Sequence, residues 1–341
     1  MDSLTQVLLG IATAEVIAGR QLKNRTFLYG AILGTIPDLD VGVGLFMDPV
    51  SGVAIHRGLS HSLFFFVCLS PILGWLISKL EHGKITIQRS IILAFFGLFT
   101  HVILDAFTSW GTQILWPLPE RFALKTIFVI DPLYSIPLLI SLIYVFRTRV
   151  DLLRRKYVFR GLFISSAYLL LTCGIKLFAL QKFENALQKQ NLSYSEIIVK
   201  PTAFNTVLWN ANVKTNDGYL LGDYSLLDKS DITFTLYEND LETELQIINS
   251  SAYKKLVCIS EGWHIVSRHK NAIYFNDLRF GLLDDNPLHP QFAFSYEFLP
   301  KTDGTFEVIE VPKQKRDGKI LLQKMWKRIQ GNWEKRSLFK C

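Results

Sequence analysis

SIILAFFGLFTHVILDAF, residues 90–107, is apolar for the length of a bilayer crossing, yet it carries His101 and Asp105 near its end. A membrane-spanning helix needs about 20 apolar residues, and an ionisable group placed in one is costly enough to mark function by default. Four positions apart on a helix, the two side chains share one face, where imidazole and carboxylate can grip the same cation.

Comparable apolar runs lie at 63–78, 127–146 and 159–180. The beginning is less regular. Leu4–Ala18 is short, and Phe27–Ile36 meets Pro37, which disfavours helix at the residue before it. Ten helical residues rise only about 15 Å, half a hydrocarbon core, so a broken helix or re-entrant pair is expected, shielded by protein or a wet cavity. The fold expected is a mainly α membrane bundle of about six transmembrane or re-entrant helices over residues 1–180. A small soluble α+β domain follows over 181–341.

The net charge of +7 belongs to the first part: residues 1–180 hold 16 Lys/Arg against 10 Asp/Glu, and the remainder 21 against 20. Twelve of these cations fall in alternate loops: Arg20, Lys23 and Arg25, then Lys79, Lys84 and Arg89, then Arg147, Arg149, Arg154, Arg155, Lys156 and Arg160. The intervening loops hold three, Arg57, Arg121 and Lys125. Short cytoplasmic loops are the basic ones, which accounts for the excess without a nucleic-acid partner. His56, His61, His101, Asp105, Asp38 and Asp40 then all lie toward the extracytoplasmic face, as does the C-terminal domain. Asp2 is the only early charge, so the first apolar segment does not read as a cleaved signal peptide. Cys68, Cys173, Cys258 and Cys341 form no CxxC or framework spacing.

The remaining site candidates come from PDLD, residues 37–40, and HRGLSH, residues 56–61. His56 and His61 are five apart, wrong for one helix face, but Ser60 suits the cap of a helix beginning at His61, with His56 approaching from the loop. Irregular backbone after Pro37 can aim Asp38 and Asp40 at a shared point. Three His and three Asp suit one or two divalent ions of the zinc or manganese kind rather than calcium. Such an ion with an open coordination position lowers the pKa of bound water to about 7. Asp40 is either a ligand or the general base. The catalytic set is therefore Asp40, Asp38 and His61, inside a metal set of Asp38, Asp40, His56, His61, His101 and Asp105.

Each piece has a plainer reading. A lone His in an apolar run is often a satisfied core residue, Asp38 and Asp40 can flank a helix break, and Asp105 can cap or pair with Arg57. Convergence of six costly groups on one face favours the joint site. Asp131 could be a seventh ligand or a partner that orients a His. Arg57 could steady an anionic substrate or face solvent. Glu15 and Lys176 read as snorkelling helix-end groups. The TSWGTQ loop, Thr108–Gln113, either frames the site mouth or anchors at the interface. His82, His264, His269 and His289 read as inert, structural or exposed.

At PDLD, HRGLSHS, HVILD with FTSWGTQ, and DPLY, the chain resembles the YdjM-like family of inner-membrane metal-dependent hydrolases, also described as LexA-binding membrane-associated hydrolases. The resemblance covers residues 1–140 well, including the opening MDSLTQ, and the rest more loosely. It implies a multi-pass bacterial inner-membrane protein with a metal-dependent hydrolase core. The matching positions are Asp38, Asp40, His56, His61, His101 and Asp105. Many members carry His where this chain has Gln6; if that His contributes to the metal site in them, Gln6 weakens or alters one coordination position here. The LexA association does not fit an outward-facing site and is not carried over.

From Ser195 onward short alternating runs take over: EIIVK, TVLWNANVK, YLLGDYSLL, ITFTLYE, WHIVSRH, AIYFNDLRF, FAFSYEFL and FEVIEV. They read as strands, with hairpin signals at Asn216-Asp217-Gly218 and Asp303-Gly304. Residues 240–255 read as a helix, and 320–336 as a basic amphipathic helix carrying Trp326 and Trp333. There is no P-loop, GxGxxG, GxSxG or internal repeat, so nucleotide-driven transport and serine hydrolysis are unsupported.

The function expected is membrane-embedded, metal-dependent hydrolysis of a phosphoester or lipid-linked substrate, with membrane lipids as surroundings. One rival is a metal-binding transporter or permease, which needs access from both faces and usually shows paired halves. The other is a membrane scaffold with a structural metal, whose coordination shell would be closed.

Overall fold

The computed structural model describes residues 1–44, 46–269, 272–284, 291–301, 305–312 and 318–331. The chain divides into two compact units: Met1–Gly174 with Ala203–Asn205, and Ile175–Thr202 with Thr206–Cys341.

In the first unit, α1 (Ser3–Leu22) opens on Asp2, whose carboxylate accepts the Thr5 N–H at 3.0 Å, and α2 (Arg25–Thr35) returns along it. The two backbones touch. A Cβ on Gly10 would lie 2.3 Å from the Gly30 carbonyl oxygen, and one on Gly34 would lie 2.6 Å from that of Gln6. Gly30 and Gly34 thus form the small-residue seam that lets apolar helices meet closely.

Pro37 starts a 3-10 turn at Ile36–Leu39, followed by the short helices α3 (Asp40–Gly44) and α4 (Pro49–Ile55) and a second 3-10 turn at Leu59–His61. Then come the long apolar pair α5 (Leu63–Leu80) and α6 (Ile87–Ala106). Ser62, not Ser60, caps α5, accepting the Phe65 N–H at 3.1 Å. After an irregular loop, α7 (Pro132–Arg147) begins on Asp131, whose Oδ1 accepts the N–H groups of Leu133 and Tyr134 at 3.0 and 3.4 Å. The 39-residue α8 (Asp151–Lys189) follows and continues into the second unit.

Among the described residues three helices, α5, α6 and α8, are long and apolar enough to cross a membrane, fewer than the six expected. The shortfall has physical causes. Helix α2 has 11 residues, about 16 Å at 1.5 Å each. Helix α7 has 16, because the Asp131 cap leaves Ile127–Ile130 in the preceding loop. Along α1, Glu15 is buried rather than snorkelling. It forms an ion pair with Arg154 at 2.7 Å, and Arg154 also donates to Asn24 Oδ1 and the Val145 carbonyl, tying α8 to α1 and the end of α7.

The second unit is layered. The strands β1 (Glu196–Pro201), β2 (Leu208–Lys214), β3 (Gly218–Ser225) and β4 (Phe234–Glu238) form one antiparallel sheet in that order. A second antiparallel sheet holds β5 (His264–His269), β6 (Ala272–Asp284), β7 (Gln291–Pro300) and β8 (Phe306–Glu310). All eight alternating runs are strands, and the Asn216–Gly218 signal joins β2 to β3. Asp303-Gly304, Trp333 and His289 lie outside the described residues.

Side chains of the first sheet alternate between two cores, as the period of two requires. Val199, Trp209, Ala211, Val213 and Leu220 pack with Ala179, Phe183 and Leu187 from the end of α8. Ile198, Tyr219 and Leu221 face Trp263, Ile265, Leu278 and Phe292 of the second sheet. In place of one helix over 240–255 there are two, α9 (Leu241–Ile247) and α10 (Ser251–Ile259), because Asp240 and Ser250 each cap a new start. The last described helix is α11 (Gly318–Ile329).

Candidate metal centre

Helices α1, α5 and α7 begin, and α2 and α6 end, at the same end of the first unit, and the predicted site residues gather there. His101 and Asp105 come from the last turns of α6, both fully buried. His61 ends the turn before α5, and Asp38 sits in the turn that Pro37 forces after α2.

One donor atom from each of Asp38, His61, His101 and Asp105 lies within 4.8 Å of the others. Asp38 Oδ1 is 3.4 Å from Nε2 of both His61 and His101, and Asp105 Oδ2 is 3.6 and 3.7 Å from the same two nitrogens. These separations are too long for good hydrogen bonds. They match donors sharing an ion, since a tetrahedral shell with bonds of about 2.0–2.2 Å sets neighbouring donors about 3.3–3.6 Å apart. His61 Nε2, His101 Nε2 and Asp105 Oδ2 are also buried with no hydrogen-bond partner among the described residues. Arg57 Nε, 3.2 Å away, offsets part of the charge on Asp105 Oδ2, but the two imidazole nitrogens beside it would be expensive in a core that held nothing between them.

The protonation pattern fits as well. His101 Nδ1 is 2.7 Å from the Gly34 carbonyl oxygen, an acceptor only, so Nδ1 carries the proton and Nε2 presents its lone pair. His61 Nδ1 is 2.9 Å from Ser60 Oγ, which donates to Asp40 Oδ2 at 2.6 Å and so accepts from the imidazole. Both rings therefore turn Nε2 toward the centre, held by outer partners in the manner of metal-binding histidines.

Asp40 and His56 are not in the four-residue group. Asp40 Oδ1 pairs with His56 Nδ1 at 2.8 Å, while Oδ2 takes Ser60 and the Arg57 N–H at 3.2 Å and lies 3.4 Å from His61 Nδ1. Burial pushes the Asp40 carboxyl up, but the hydrogen bonds from His56, His61 and Ser60 outweigh it and hold the group well below the ordinary carboxylate range. Arg57 is buried, not solvent-facing. Its φ of 64° is in the left-handed region, its Nε is 3.2 Å from Asp105 Oδ2, and its Nη1 donates to Thr108 Oγ1 at 3.0 Å. The Trp110 ring lies edge-on to His56, 6.2 Å between centroids, so the TSWGTQ loop does reach the site's outer side.

Asp131 is absent from the group; it caps α7 and accepts the Tyr168 hydroxyl at 2.8 Å. Gln6 reaches the centre's edge, donating from Nε2 to Asp105 Oδ1 at 2.9 Å and to the His101 carbonyl at 3.1 Å. The Met1 amino group donates to the same Asp105 Oδ1. The Gly34 carbonyl was not foreseeable from residue type, because every residue carries one.

The model of one protein family, YdjM inner membrane protein, matches residues 1–179, half of the chain and all of the site. The chain belongs to the YdjM inner membrane protein family. The match takes in α1 to α7 and most of α8, and ends before the first strand. No curated protein and no solved structure matches the chain.

Proposed function

We propose that the chain is a metal-dependent hydrolase of the bacterial inner membrane, acting on a phosphoester or lipid-linked substrate. The observation that carries it is the convergence of Asp38 Oδ1, His61 Nε2, His101 Nε2 and Asp105 Oδ2 within 4.8 Å, three of them buried and without a hydrogen-bond partner among the described residues. Two imidazoles and two carboxylates favour zinc or manganese. When bound, such an ion polarises a phosphoryl oxygen and brings the pKa of a coordinated water to about 7.

The residues divide the remaining work. His61, His101 and Asp105 hold the inner wall, and Gly34, Ser60 and Asp40 keep the two rings turned inward. Asp38 is the only one of the four with a partly exposed carboxylate, 22% against 0% for the others, so substrate and water approach from its side. With Oδ1 given to the metal, its second oxygen is left to take a proton there. Asp40, already accepting from His56, Ser60 and Arg57, acts by orienting His61. In the proposed topology the helices cross the membrane several times, with the basic loops cytoplasmic and the centre and C-terminal domain extracytoplasmic.

The second reading is a structural metal, which four protein donors could close off completely. Its test and that of the enzyme are the same. The full chain is purified, its metal measured, and phosphoester and phospholipid substrates are screened beside His61→Ala and Asp105→Ala. Expected is bound metal with turnover, both lost in the variants. Metal retained without turnover on any substrate points to the scaffold, and equal metal in wild type and both variants removes the site.

A further inference from the structure

A groove of about 620 Å3 runs between α7 and α8, lined by Ile136, Ile140 and Tyr144 on one side and Tyr157, Arg160 and Ile164 on the other. The helices touch beside it at Gly161, where a Cβ would fall 2.1 Å from Ser141 Oγ. Ile136, Ile140 and Ile164 are 48%, 49% and 53% exposed, and on an inner-membrane protein such a surface meets acyl chains. At the end of the groove nearest the α7–α8 loop, the rings of Tyr144 and Tyr157 lie 5.3 Å apart, the kind of pair that sits at headgroup level.

Arg160 breaks the apolar character of this wall. It is exposed, and Lys156, four residues before it and so on the same face, is exposed too. Among the described residues neither has a hydrogen-bond or ion-pair partner. Helical side chains lean toward the N-terminus of their helix, so both cations reach toward the tyrosine end, their stems lying along apolar surface. An unpaired arginine beside an apolar channel asks for an anion that carries an apolar tail.

We propose that this groove binds an anionic glycerophospholipid, one acyl chain lying along Ile136, Ile140 and Ile164 and its phosphate held by Arg160 and Lys156. Arg147, Arg149 and Arg155 in the same loop and first helical turns add to the positive field. A zwitterionic lipid offers the same phosphate, but its ammonium opposes that field, so a net-negative headgroup is preferred. The site is separate from the metal centre and rests on the chain being a membrane protein, not on its being a hydrolase.

Native mass spectrometry of the full chain in detergent tests this, with phosphatidylglycerol and phosphatidylcholine of identical acyl chains as probes. Expected is one retained phosphatidylglycerol, favoured at least about five-fold, the weight of one lysine or arginine at an anionic surface. The pair Arg160→Gln with Lys156→Gln should remove the preference, Arg160→Lys should keep most of it, and Ile140→Trp should lower retention of both lipids. Unfolding temperatures in lipid-free detergent separate a lost site from a lost fold. Equal retention of the two lipids by the wild type overturns the proposal. So does a preference that survives the Gln pair, or displacement of the lipid by glycerol 3-phosphate alone.

Discussion

Gln6 touches the centre without joining it. Its Nε2 bonds Asp105, but its Oε1 is buried with no hydrogen-bond partner among the described residues, a situation that costs about 1–3 kcal/mol. Gln6→His removes that acceptor and puts an imidazole beside Asp105. The variant should hold metal about ten-fold more tightly, the scale of a single outer-shell change, in competition with a chromophoric chelator; unchanged affinity would mean that position 6 has no influence on the ligands. In the second unit, the hydrogen bond from His264 pulls Glu244 from near 4.5 down to about 2, helped by Tyr253 and Asn239 against burial. A depressed carboxyl stabilises the fold above its ordinary pKa and loses that contribution as pH falls through the folded value. The gap in unfolding temperature between wild type and Glu244→Gln should therefore be full above pH 4.5 and close toward pH 2. At this scale residue type was a good guide to what could bind a metal and a poor guide to distance. His101 and Asp105 show their pairing by spacing, whereas Glu15 finds Arg154 across 139 positions and no local pattern announces it.

Among the elements, α1 and α2 meet backbone to backbone along their seam. A Cβ on Gly30 would stand 2.4 Å from the Ile11 Cα, so Gly30→Ala must push the helices apart, at about 1–3 kcal/mol for forced overpacking. Thermal unfolding in detergent measures it, and an unshifted midpoint would show that the seam has slack. The Glu15–Arg154 pair is the second tie. Glu15→Gln leaves a buried guanidinium without its counter-charge and should cost about 3–5 kcal/mol, most of it recovered in the double variant with Arg154→Met. If the single variant unfolds like wild type, the pair carries no weight. Long apolar runs were legible, and α5, α6 and α8 stand where hydropathy put them. The ends were harder to place: α7 starts five residues late because Asp131 is a better cap than Ile127 is a helix start, and α8 reaches Lys189 because Phe183 and Leu187 in its otherwise polar last turns pack on β2 and β3.

For the whole molecule, the proposed orientation makes a definite demand. A phosphatase reporter fused after Leu180 should be active only if that point is exported, and activity confined to a cytoplasmic reporter at the same place would reverse the topology. Eight strands were readable because each keeps a period of two, while the pairing of sheet faces depends on contacts that no window of sequence contains. Gly34 belongs to two structures at once: its Cα lies in the seam of α1 with α2, and its carbonyl anchors His101 Nδ1. A geneticist screening random variants for lost metal would accordingly recover glycine positions 10, 30 and 34 alongside the ligands themselves. Such alleles would be suppressed by changes that let the helices re-seat, and ligand alleles would not.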